Sequence, residues 1–440
     1  MSYQDRLSEL HRCSYGRLLG ALYRQFRNLD DAEDALQDAF LRASELAVHE
    51  RPQKPEAWII TVARNRLLDG ARRSHRGRRV HETLKAELRA RYDIPSEPRF
   101  GSAASSPAGP GNPTSDAGPL LVPDDELRLM FLCAHPALSE DVRLVLMLKL
   151  VAGLSVPAIA SALLRKPASV AQAISRAKQK VRDAAIPFEV PDTPYIEERI
   201  DTLHSVLYLM FNEGYHATET EGNDPGRIEL AQEALRLGRE LERLLTSLRS
   251  ARSGTQSLVA LMCYIHARRK ARLSRAGDVV TLEKQDRSHW DRRLLDEAAE
   301  RLRSVPWQRG AHNPYYLQAA INHEYCRAAR FDMTDFGRIC LRYAELYYLS
   351  PNPVVLLNWL IAESYRSDPQ TALVLMEQHG LHEYLSDYRW FYAARAELRC
   401  RAGRVTGSMD DYRMAMSLCS NRAEARFIEQ RVQELLARPG

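Results

Sequence analysis

Seven arginines lie within the sixteen residues from Arg64 to Arg79, against a single acid, Asp69, and this density suits contact with phosphate groups. One guanidinium group can donate hydrogen bonds to two phosphate oxygens at once, and its charge displaces condensed counterions from nucleic acid. Trp58, shortly before these arginines, supplies an aromatic surface, and Asn65 among them supplies a base-reading amide. The alternative interpretation is a solvated basic face, which needs neither residue. The candidate DNA-binding residues of this segment are Trp58, Arg64, Asn65, Arg66, Arg72 and Arg73.

Motifs for enzyme chemistry are absent from the sequence. It contains no G-x-x-x-x-G-K-S/T, G-x-G-x-x-G or G-x-S-x-G motif, and no His-Glu pair has the second His that a zincin helix requires. Cys133 and His135 are two candidate metal ligands without a further pair nearby, so Cys133 is better interpreted as a core residue. The seven scattered cysteines, none in a C-x-x-C pair, argue against a disulfide framework. We therefore predict no catalytic residue, no metal and no cofactor.

Apolar residues recur at spacings of three and four along the chain, which predicts an all-α protein. One predicted helix, which Asn28 or Asp30 would cap, carries acids and apolar residues on opposite faces. Its inward residues are Ala32, Leu36, Ala39, Phe40 and Ala43. Its outward residues are Asp31, Asp34, Asp38 and Arg42. A second helix begins after Pro55, and its other face carries the arginines. Its inward residues are Trp58, Ile59, Val62, Ala63, Leu67 and Leu68.

A helix-turn-helix pattern lies further along. A helix from about Val142 to Leu150 is followed by Gly153, by Ser155 as an N-cap, and by a turn that ends at Pro167. The second helix, from Ala168 to about Asp183, directs Val170, Ile174, Ala177 and Val181 inward. It leaves Gln172, Ser175, Arg176 and Lys178 outward, where they would read a DNA major groove.

Composition divides the chain into four parts. Residues 94–123 hold seven Pro, four Gly and five Ser, a composition typical of a flexible linker. We predict helical domains over residues 1–93 and 124–190 on either side of it, and a third over residues 191–440. In the last domain a shift of 34 residues aligns Leu360, Ala362 and Glu363 with Ala394, Ala396 and Glu397, as in stacked helical hairpins of the tetratricopeptide (TPR) kind.

Of the 440 residues, 45% are apolar and 27% charged, with a mean hydropathy of -0.40, as expected of a globular protein. No run of about 18 apolar residues occurs, and the first residues lack the layout of a signal peptide. We therefore predict a cytoplasmic protein with no membrane partner. The net charge of +5 is too small to identify a partner.

Several long segments resemble bacterial sigma-70 factors of the extracytoplasmic-function (ECF) class. Asp30–Ala43 and Pro55–Asp69 resemble their second conserved domain, and Ser139–Arg182 is similar to their fourth. The remainder resembles a subgroup with a TPR-like C-terminal extension. The segments that carry this second resemblance are Val206–Tyr215, Leu282–Asp291, Pro314–Ile321 and Pro351–Val355.

The resemblance implies a sigma factor that binds core RNA polymerase, directs it to promoter DNA and helps to melt the DNA. It implies that Asp31, Asp34 and Asp38 dock on a basic surface of the polymerase. The segment from Trp58 to Arg73 would hold the unpaired strand near the start site, and the second helix of the helix-turn-helix would read the distal element as duplex. The linker would run through the polymerase between them.

Two departures from the family pattern affect specificity. Ala171 and Ala173 stand where recognition helices of this family usually carry basic residues, which leaves Gln172, Ser175, Arg176 and Lys178 to read bases. Trp359 stands where the subgroup tends to have a basic residue, so the surface of the extension differs there.

The C-terminal extension has two interpretations, a structural mass that steadies the sigma domains or a regulatory domain. Asn212, Glu213 and Tyr215, near its start, are candidates for a regulatory contact that restrains or licenses the sigma domains. The extension is also a candidate site for a protein or peptide partner. A competing hypothesis for the whole chain is a DNA-binding adaptor that recruits proteins through a TPR-like surface without initiating transcription.

Overall fold

The computed structural model describes residues 3–72, 125–163, 165–191, 193–216, 225–248, 252–274, 279–419 and 422–436. Helices and short 3-10 turns make up its secondary structure in these ranges, apart from one isolated bridge between Leu273 and Val279. The predicted all-α fold is thereby confirmed. The chain divides into two compact units, residues 1–203 and 204–440. The predicted linker over residues 94–123 lies outside the described residues.

Three helices begin the N-terminal unit, and the second of them has the amphipathic pattern that the sequence predicts. They are α1 (Tyr3–Phe26), α2 (Leu29–Glu45) and α3 over residues 55–72. Asn28 caps α2, because its side-chain oxygen accepts hydrogen bonds from the backbone N–H groups of Asp30 and Asp31 at 3.0 and 3.3 Å. The predicted inward residues of α2 are buried, except that Phe40 is half-buried.

The helix-turn-helix also lies in this unit. Its helices are α4 (Asp125–Cys133), α5 (Glu140–Leu150), α6 (Val156–Ala162) and α7 (Pro167–Asp183). Gly153, with φ at +66°, makes the left-handed turn after α5. The Ser155 hydroxyl accepts a hydrogen bond from the Ala158 N–H at 3.3 Å, which is the predicted N-cap of α6.

The boundary between the two units falls within α8 (Thr193–His216), thirteen residues beyond the predicted end of the helix-turn-helix domain. In the N-terminal unit Ile196 and Leu203 are fully buried, and the Arg199 guanidinium donates a hydrogen bond to the Phe131 carbonyl at 3.4 Å. The first three turns of α8 are therefore part of the packing of this unit. The four-part division of the chain stays a prediction.

The C-terminal unit is a series of helices, several of which pack as consecutive hairpins. These helices are α9 (Pro225–Ser247), α10 (Ser253–Ala267), α11 (Arg292–Ser304), α12 (Trp307–Gly310), α13 (Pro314–Arg327), α14 (Phe336–Leu349), α15 (Pro353–Arg366), α16 (Pro369–Gln378), α17 (Leu381–Tyr384), α18 (Arg389–Arg401), α19 (Val405–Ser417) and α20 (Arg422–Leu436). The 34-residue offset aligns α15 with α18 and α16 with α19. The helices α15 and α16 pack as one hairpin, and α18 and α19 pack as another.

Repeated start signals delimit these helices. Asn313, Asn352 and Asp368 each stand at an N-cap, accept hydrogen bonds from the following backbone N–H groups and precede a proline at the first helical position. Behind the caps, apolar clusters fill the space between hairpins, one of them around Leu356, Leu360 and Phe391. Within the described ranges, no helix combines the length and the apolar character that crossing a bilayer requires.

Candidate nucleic-acid and protein-docking surfaces

The acidic face of α2 is divided between exposed and engaged carboxylates. Asp31 and Asp34 are exposed, and Asp31 accepts a hydrogen bond from the Asn28 amide at 2.6 Å. Asp38 is half-buried and forms ion pairs with Arg42 of the same helix at 2.9 Å and with Arg66 of α3 at 2.5 Å. A predicted protein-docking residue and a predicted DNA-binding residue are thus paired with each other.

Along α3, Ile59, Ala63 and Leu67 are buried as predicted, whereas Trp58, Val62 and Leu68, which were also predicted to lie inward, are only half-buried. Trp58 and Arg64 are half-buried, whereas Asn65, Arg66 and Arg72 are exposed. The Arg72 guanidinium lies 3.6 Å from the Asp69 carboxylate in an exposed pair, which contributes little to stability. Arg73 and the arginines that follow it lie outside the described residues. The described part of α3 therefore presents a polar, cationic face to solvent.

Three of the four predicted reading residues of α7 lie on its exposed face. Gln172, Ser175 and Arg176 are exposed, and the Arg176 guanidinium donates a hydrogen bond to the Gln172 side-chain oxygen at 3.1 Å. Ala171, one of the two departures from the family pattern, is exposed beside them. The short side chain of Ala171 supplies no polar group of its own to this face.

The outward placement predicted for Lys178 is wrong. Its side chain is only 10% exposed, and its ammonium lies 2.5 Å from a Glu33 oxygen and 3.0 Å from an Asp30 oxygen. The physical reason is helical periodicity, because Lys178 is four residues after the buried Ile174 and so shares its face. Acidic partners on α2 make that position tolerable for a cation. Lys178 does not face a DNA groove in this arrangement.

Five charged residues meet between α2 and the helix-turn-helix, and we refer to them as the Glu33 cluster. Glu33 is 4% exposed and pairs with Lys149 of α5 at 2.9 Å as well as with Lys178. Asp30 also pairs with Arg182 at the end of α7. A buried carboxylate with two cationic partners is compensated, whereas loss of either lysine would leave charge unbalanced. The members of the cluster are Asp30, Glu33, Lys149, Lys178 and Arg182.

The ionisation of the Glu33 cluster follows from competing effects of burial and pairing. Burial acts to raise the pKa of Glu33, but the hydrogen bonds and charges of Lys178 and Lys149 outweigh it and hold the pKa below its usual value. The same balance, with Lys178 and Arg182 as partners, lowers the pKa of Asp30. Burial acts to lower the pKa of Lys178, yet Glu33 and Asp30 raise it overall. All three groups are charged at neutral pH.

A second contact joins α1 to the helix-turn-helix by close backbone approach. A Cβ atom added at Gly20 would lie 2.6 Å from the Asp125 carbonyl oxygen, and one added at Gly16 would lie 2.7 Å from the Val151 carbonyl oxygen. The side chain of Asp125 is fully buried and pairs with Arg24 of α1 at 3.1 Å. The two glycines, spaced by four residues, therefore form a stripe on which α4 and the turn after α5 rest.

The sequence contains a signal for these contacts, namely charged residues at inward positions. Glu33 stands between Ala32 and Ala35 on the inward side of α2, and Lys149 stands inside the apolar run of α5. A charge at an inward position is rare unless it is paired. Nothing in the sequence identified the partners, however, because Glu33 and Lys178 are 145 residues apart.

The candidate regulatory residues lie at the C-terminal end of α8. Asn212 is half-buried, and Gly214 is buried within a helix that continues to His216. Burial raises the pKa of Tyr208, and a hydrogen bond with Asn212 opposes that effect. The side chains of Glu213 and Tyr215 lie outside the described part of the structure. Across the described residues, no group of three His, Cys, Asp or Glu side chains is arranged to hold a metal ion.

Three family models match separate parts of the chain. Residues 10–77 match the family described as Sigma-70 region 2, and residues 128–181 match the family described as Sigma-70, region 4. Residues 199–305 match a Family of unknown function (DUF6596). An uncharacterized protein of Rhizobium meliloti (strain 1021) is 37% identical over 423 residues, which cover 96% of this chain and 94% of that protein. No solved structure gives a significant match.

Proposed function

The chain belongs to the sigma-70 family of transcription initiation factors, in its ECF class, and we propose how its helices divide the work of initiation. It is a sigma factor, which binds core RNA polymerase and directs it to promoters, and it carries a C-terminal helical extension. The proposal concerns the residues that perform these steps and the task of the extension. We also infer that the chain acts in the cytoplasm, where its polymerase partner works.

The acidic face of α2 is the proposed docking site for core polymerase. The observation that carries this assignment is the exposure of Asp31 and Asp34 on a helix whose opposite face is buried. Such a face suits a basic partner, because charge complementarity accelerates association and selects the partner. Asp38 contributes once its pairing with Arg66 is exchanged for a contact with the polymerase.

Charge reversal tests this docking site. The double variant Asp31→Lys, Asp34→Lys should bind core polymerase at least tenfold more weakly, since two attractive charges become repulsive. The matched control is Glu9→Lys, which reverses an exposed acid on α1 and should leave the affinity unchanged. Equal affinities for all three proteins would overturn the assignment. They would also favour the adaptor hypothesis, in which polymerase binding plays no part.

Two helices are proposed to contact promoter DNA. The exposed Asn65, Arg66 and Arg72 of α3, with Trp58 beside them, would hold the proximal element through phosphate contacts and base stacking. On α7, Gln172, Ser175 and Arg176 would read the distal element in the major groove. Arg64 and Arg73 complete the proposed proximal set. Lys178 enters the distal set only if α7 separates from α2.

The extension is proposed to regulate the sigma domains through residues near Asn212, Glu213 and Tyr215, and to bind a protein or peptide partner. The support is that Asn212 and Glu213 directly follow the apolar run Val206–Phe211 of α8. Whether the extension restrains or licenses initiation is decided by comparing transcription from the full chain with that from a chain ending after Leu203. This end point retains the turns of α8 that pack in the N-terminal unit. Equal transcription from both chains would overturn the regulatory role.

A further inference from the structure

Three arginines without an acidic partner lie around the connection between α10 and α11, next to the C-terminal end of α13. They are Arg268, Arg287 and Arg292, and we refer to them as the Arg287 group. Arg268 and Arg287 are half-buried and Arg292 is exposed, so the group extends from the interior of the C-terminal unit to its surface. None of the three forms an ion pair with a carboxylate in the described part of the chain.

Other half-buried arginines of the same unit do have acidic partners. Arg239 pairs with Glu297 at 2.8 Å, and Arg301 pairs with Glu242 at 2.9 Å. A partly buried cation needs such compensation, because burial removes part of its hydration. The Arg287 group therefore carries positive charge that the described residues leave uncompensated.

Neutral acceptors on and after α13 hold two of these guanidinium groups in place. Nη1 of Arg287 donates hydrogen bonds to the Tyr325 and Ala328 carbonyl oxygens, both at 2.7 Å. Nη2 of Arg268 donates a hydrogen bond to the Asn322 side-chain oxygen at 2.8 Å. Asn322 and Tyr325 are three residues apart, which separates them by about 4.5 Å along the axis of α13. The two guanidinium groups are thus anchored about one helical turn apart.

Each of these two guanidinium groups also has a buried N–H donor without an acceptor among the described residues. The donors are Nε of Arg268 and Nη2 of Arg287. The indole N–H of Trp290 is a third such donor, and Trp290 is only 3% exposed. The centre of the Arg287 guanidinium lies 4.4 Å from the centroid of the Trp290 ring. A buried donor without an acceptor costs about 1–3 kcal/mol, and a bound group with several oxygens would remove that cost.

The start of α11 contributes the third cation. The Asp291 N–H donates a hydrogen bond to the Ala267 carbonyl oxygen at 2.9 Å, and this contact brings Arg292 close to Arg268. Burial lowers the pKa of Arg287, and the charges of Arg268 and Arg292 act in the same direction. The three cations therefore repel one another, and an anion between them would relieve this repulsion.

We propose that the Arg287 group binds the phosphate group of a small ligand. Three cations favour a phosphate, which carries nearly two negative charges and three acceptor oxygens, over a carboxylate with one charge and two oxygens. Because the donors without acceptors are shielded from solvent, the ligand is a free phosphate ion or the terminal phosphate of a small molecule. Bound phosphate would link the connection between α10 and α11 to α13. The inference goes beyond the proposed function, in which none of these residues takes part.

Amide exchange of the full chain during titration with inorganic phosphate tests the site. Sodium chloride keeps the ionic strength constant, so that general screening does not change. Exchange should slow in residues 282–292 and 314–328, with half-saturation at roughly 1 mM phosphate or lower. Residues 389–417 should not respond. A parallel titration with adenosine monophosphate identifies the source of the phosphate, since tighter binding than that of the free ion indicates an ester and weaker binding indicates the ion itself.

Two variants of the full chain weaken the site by different means. Arg287→Lys retains a cation beside the α13 carbonyl oxygens but removes the second terminal nitrogen. Arg292→Gln removes an exposed charge whose side chain forms no hydrogen bond with a described residue. Each should raise the phosphate concentration at half-saturation roughly fivefold or more, since a donor or a charge is lost. Arg293→Gln is the matched control, because Arg293 is also exposed at the start of α11 but does not act on Arg287.

The results separate a phosphate site from arginines that water satisfies. Saturable protection that weakens in both variants and persists in the control supports the proposal. Absence of protection up to about 20 mM phosphate overturns it, because binding weaker than that is not specific. Unchanged affinity in either folded variant also overturns it, since phosphate then binds elsewhere. If Arg287→Lys loses its helical circular dichroism, Arg292→Gln decides between the same outcomes.

Discussion

The N-terminal sigma unit and the C-terminal hairpins differ in how far apart along the chain the partners of a buried ion pair lie. In the sigma unit Lys178 pairs with Glu33 across 145 residues and Arg24 pairs with Asp125 across 101. In the hairpin of α18 and α19, Arg395 and Arg399 pair with the buried Asp411 across 16 and 12 residues. A local pair forms whenever its hairpin forms, whereas a distant pair requires two separate regions to meet.

This difference suits the two halves to different tasks. Hairpins whose contacts are local behave as a nearly one-dimensional stack and lose stability one repeat at a time. An interface between distant regions can open as a unit while the helices on each side stay folded. A change in the sigma unit is therefore expected to affect two distant regions together, whereas a change in one hairpin is expected to act locally.

The largest expected effect lies in the hairpins. Asp411→Asn should destabilise the α18–α19 hairpin by about 3–5 kcal/mol, because it leaves two guanidinium groups without their buried partner. Amide exchange of residues 389–417 in the full chain measures the loss, and residues 29–45 should not respond. Asp410→Asn is the matched control, since Asp410 is exposed and pairs with Arg413 at the surface. Similar losses for the two variants would contradict the role of burial, and a response in residues 29–45 would contradict the local character of this hairpin.

Mild acid should destabilise the C-terminal unit but not the sigma unit. Burial lowers the pKa of His204 to about 4, and burial together with Arg269 lowers that of His266 to about 4. The unfolded chain binds these protons below about pH 6.5 while the folded chain does not, so each histidine should cost the C-terminal unit about 2 kcal/mol at pH 5.

At the same pH the contact between α2 and the helix-turn-helix should remain intact. The lowered pKa values of Asp30 and Glu33 give a stabilisation that is present above their ordinary values and is lost only as the pH falls through the lowered ones. Lys178 has a raised pKa and is protonated throughout. Exchange at pH 7 and pH 5, corrected for intrinsic rates, tests this expectation. Loosening of α2 at pH 5 before the segments around His204 and His266 would refute it.

Removal of an N-cap should have a smaller effect, and a similar one in both halves. Asn28→Ala and Asn352→Ala each remove an oxygen that accepts backbone N–H groups, which costs about 1 kcal/mol. Asn352→Asp retains an accepting oxygen and should preserve most of the stability. Exchange of the first turn of α2 and of α15 measures the two losses. A much larger loss at Asn28 would mean that the cap also supports the Glu33 cluster through Asp30.

The smallest expected effect concerns DNA. Arg72→Ala should lower the slope of log affinity against log salt concentration by roughly one, as expected for one phosphate contact. Arg413→Ala in the extension removes an equally exposed cation and should leave the slope unchanged. Titration of promoter DNA with the polymerase complex at several salt concentrations provides the measurement. An unchanged slope for Arg72→Ala would assign Arg72 to a solvated helix face.

Short-range patterns predicted much of this structure. The spacing of Ala32, Leu36 and Ala39 predicted which face of α2 is buried, and Ser155 predicted the start of α6. The 34-residue offset predicted that α15 and α18 occupy equivalent positions in successive hairpins. These predictions succeeded because helical periodicity and capping depend on residues within one or two turns of each other.

The prediction for Lys178 failed because its burial depends on residues far away along the chain. A lysine beside an apolar stripe is normally exposed, and only the arrival of Glu33 and Asp30 from a distant helix makes its burial favourable. The sequence likewise does not predict the pairing of Asp38 with Arg66, because its patterns place the first on a protein-docking surface and the second on a DNA-binding surface. In both cases the energy of a side chain depends on a partner that sequence spacing does not reveal.

The amino-acid sequence by itself determined the helices, their buried faces, their caps and the family to which the chain belongs, since all of these depend on local patterns. Only the tertiary structure decided which charges are free to meet a partner and which are already neutralised. Electrostatic energy depends on distance through space and on burial, and the approach of α5 and α7 to α2 sets both quantities for Glu33.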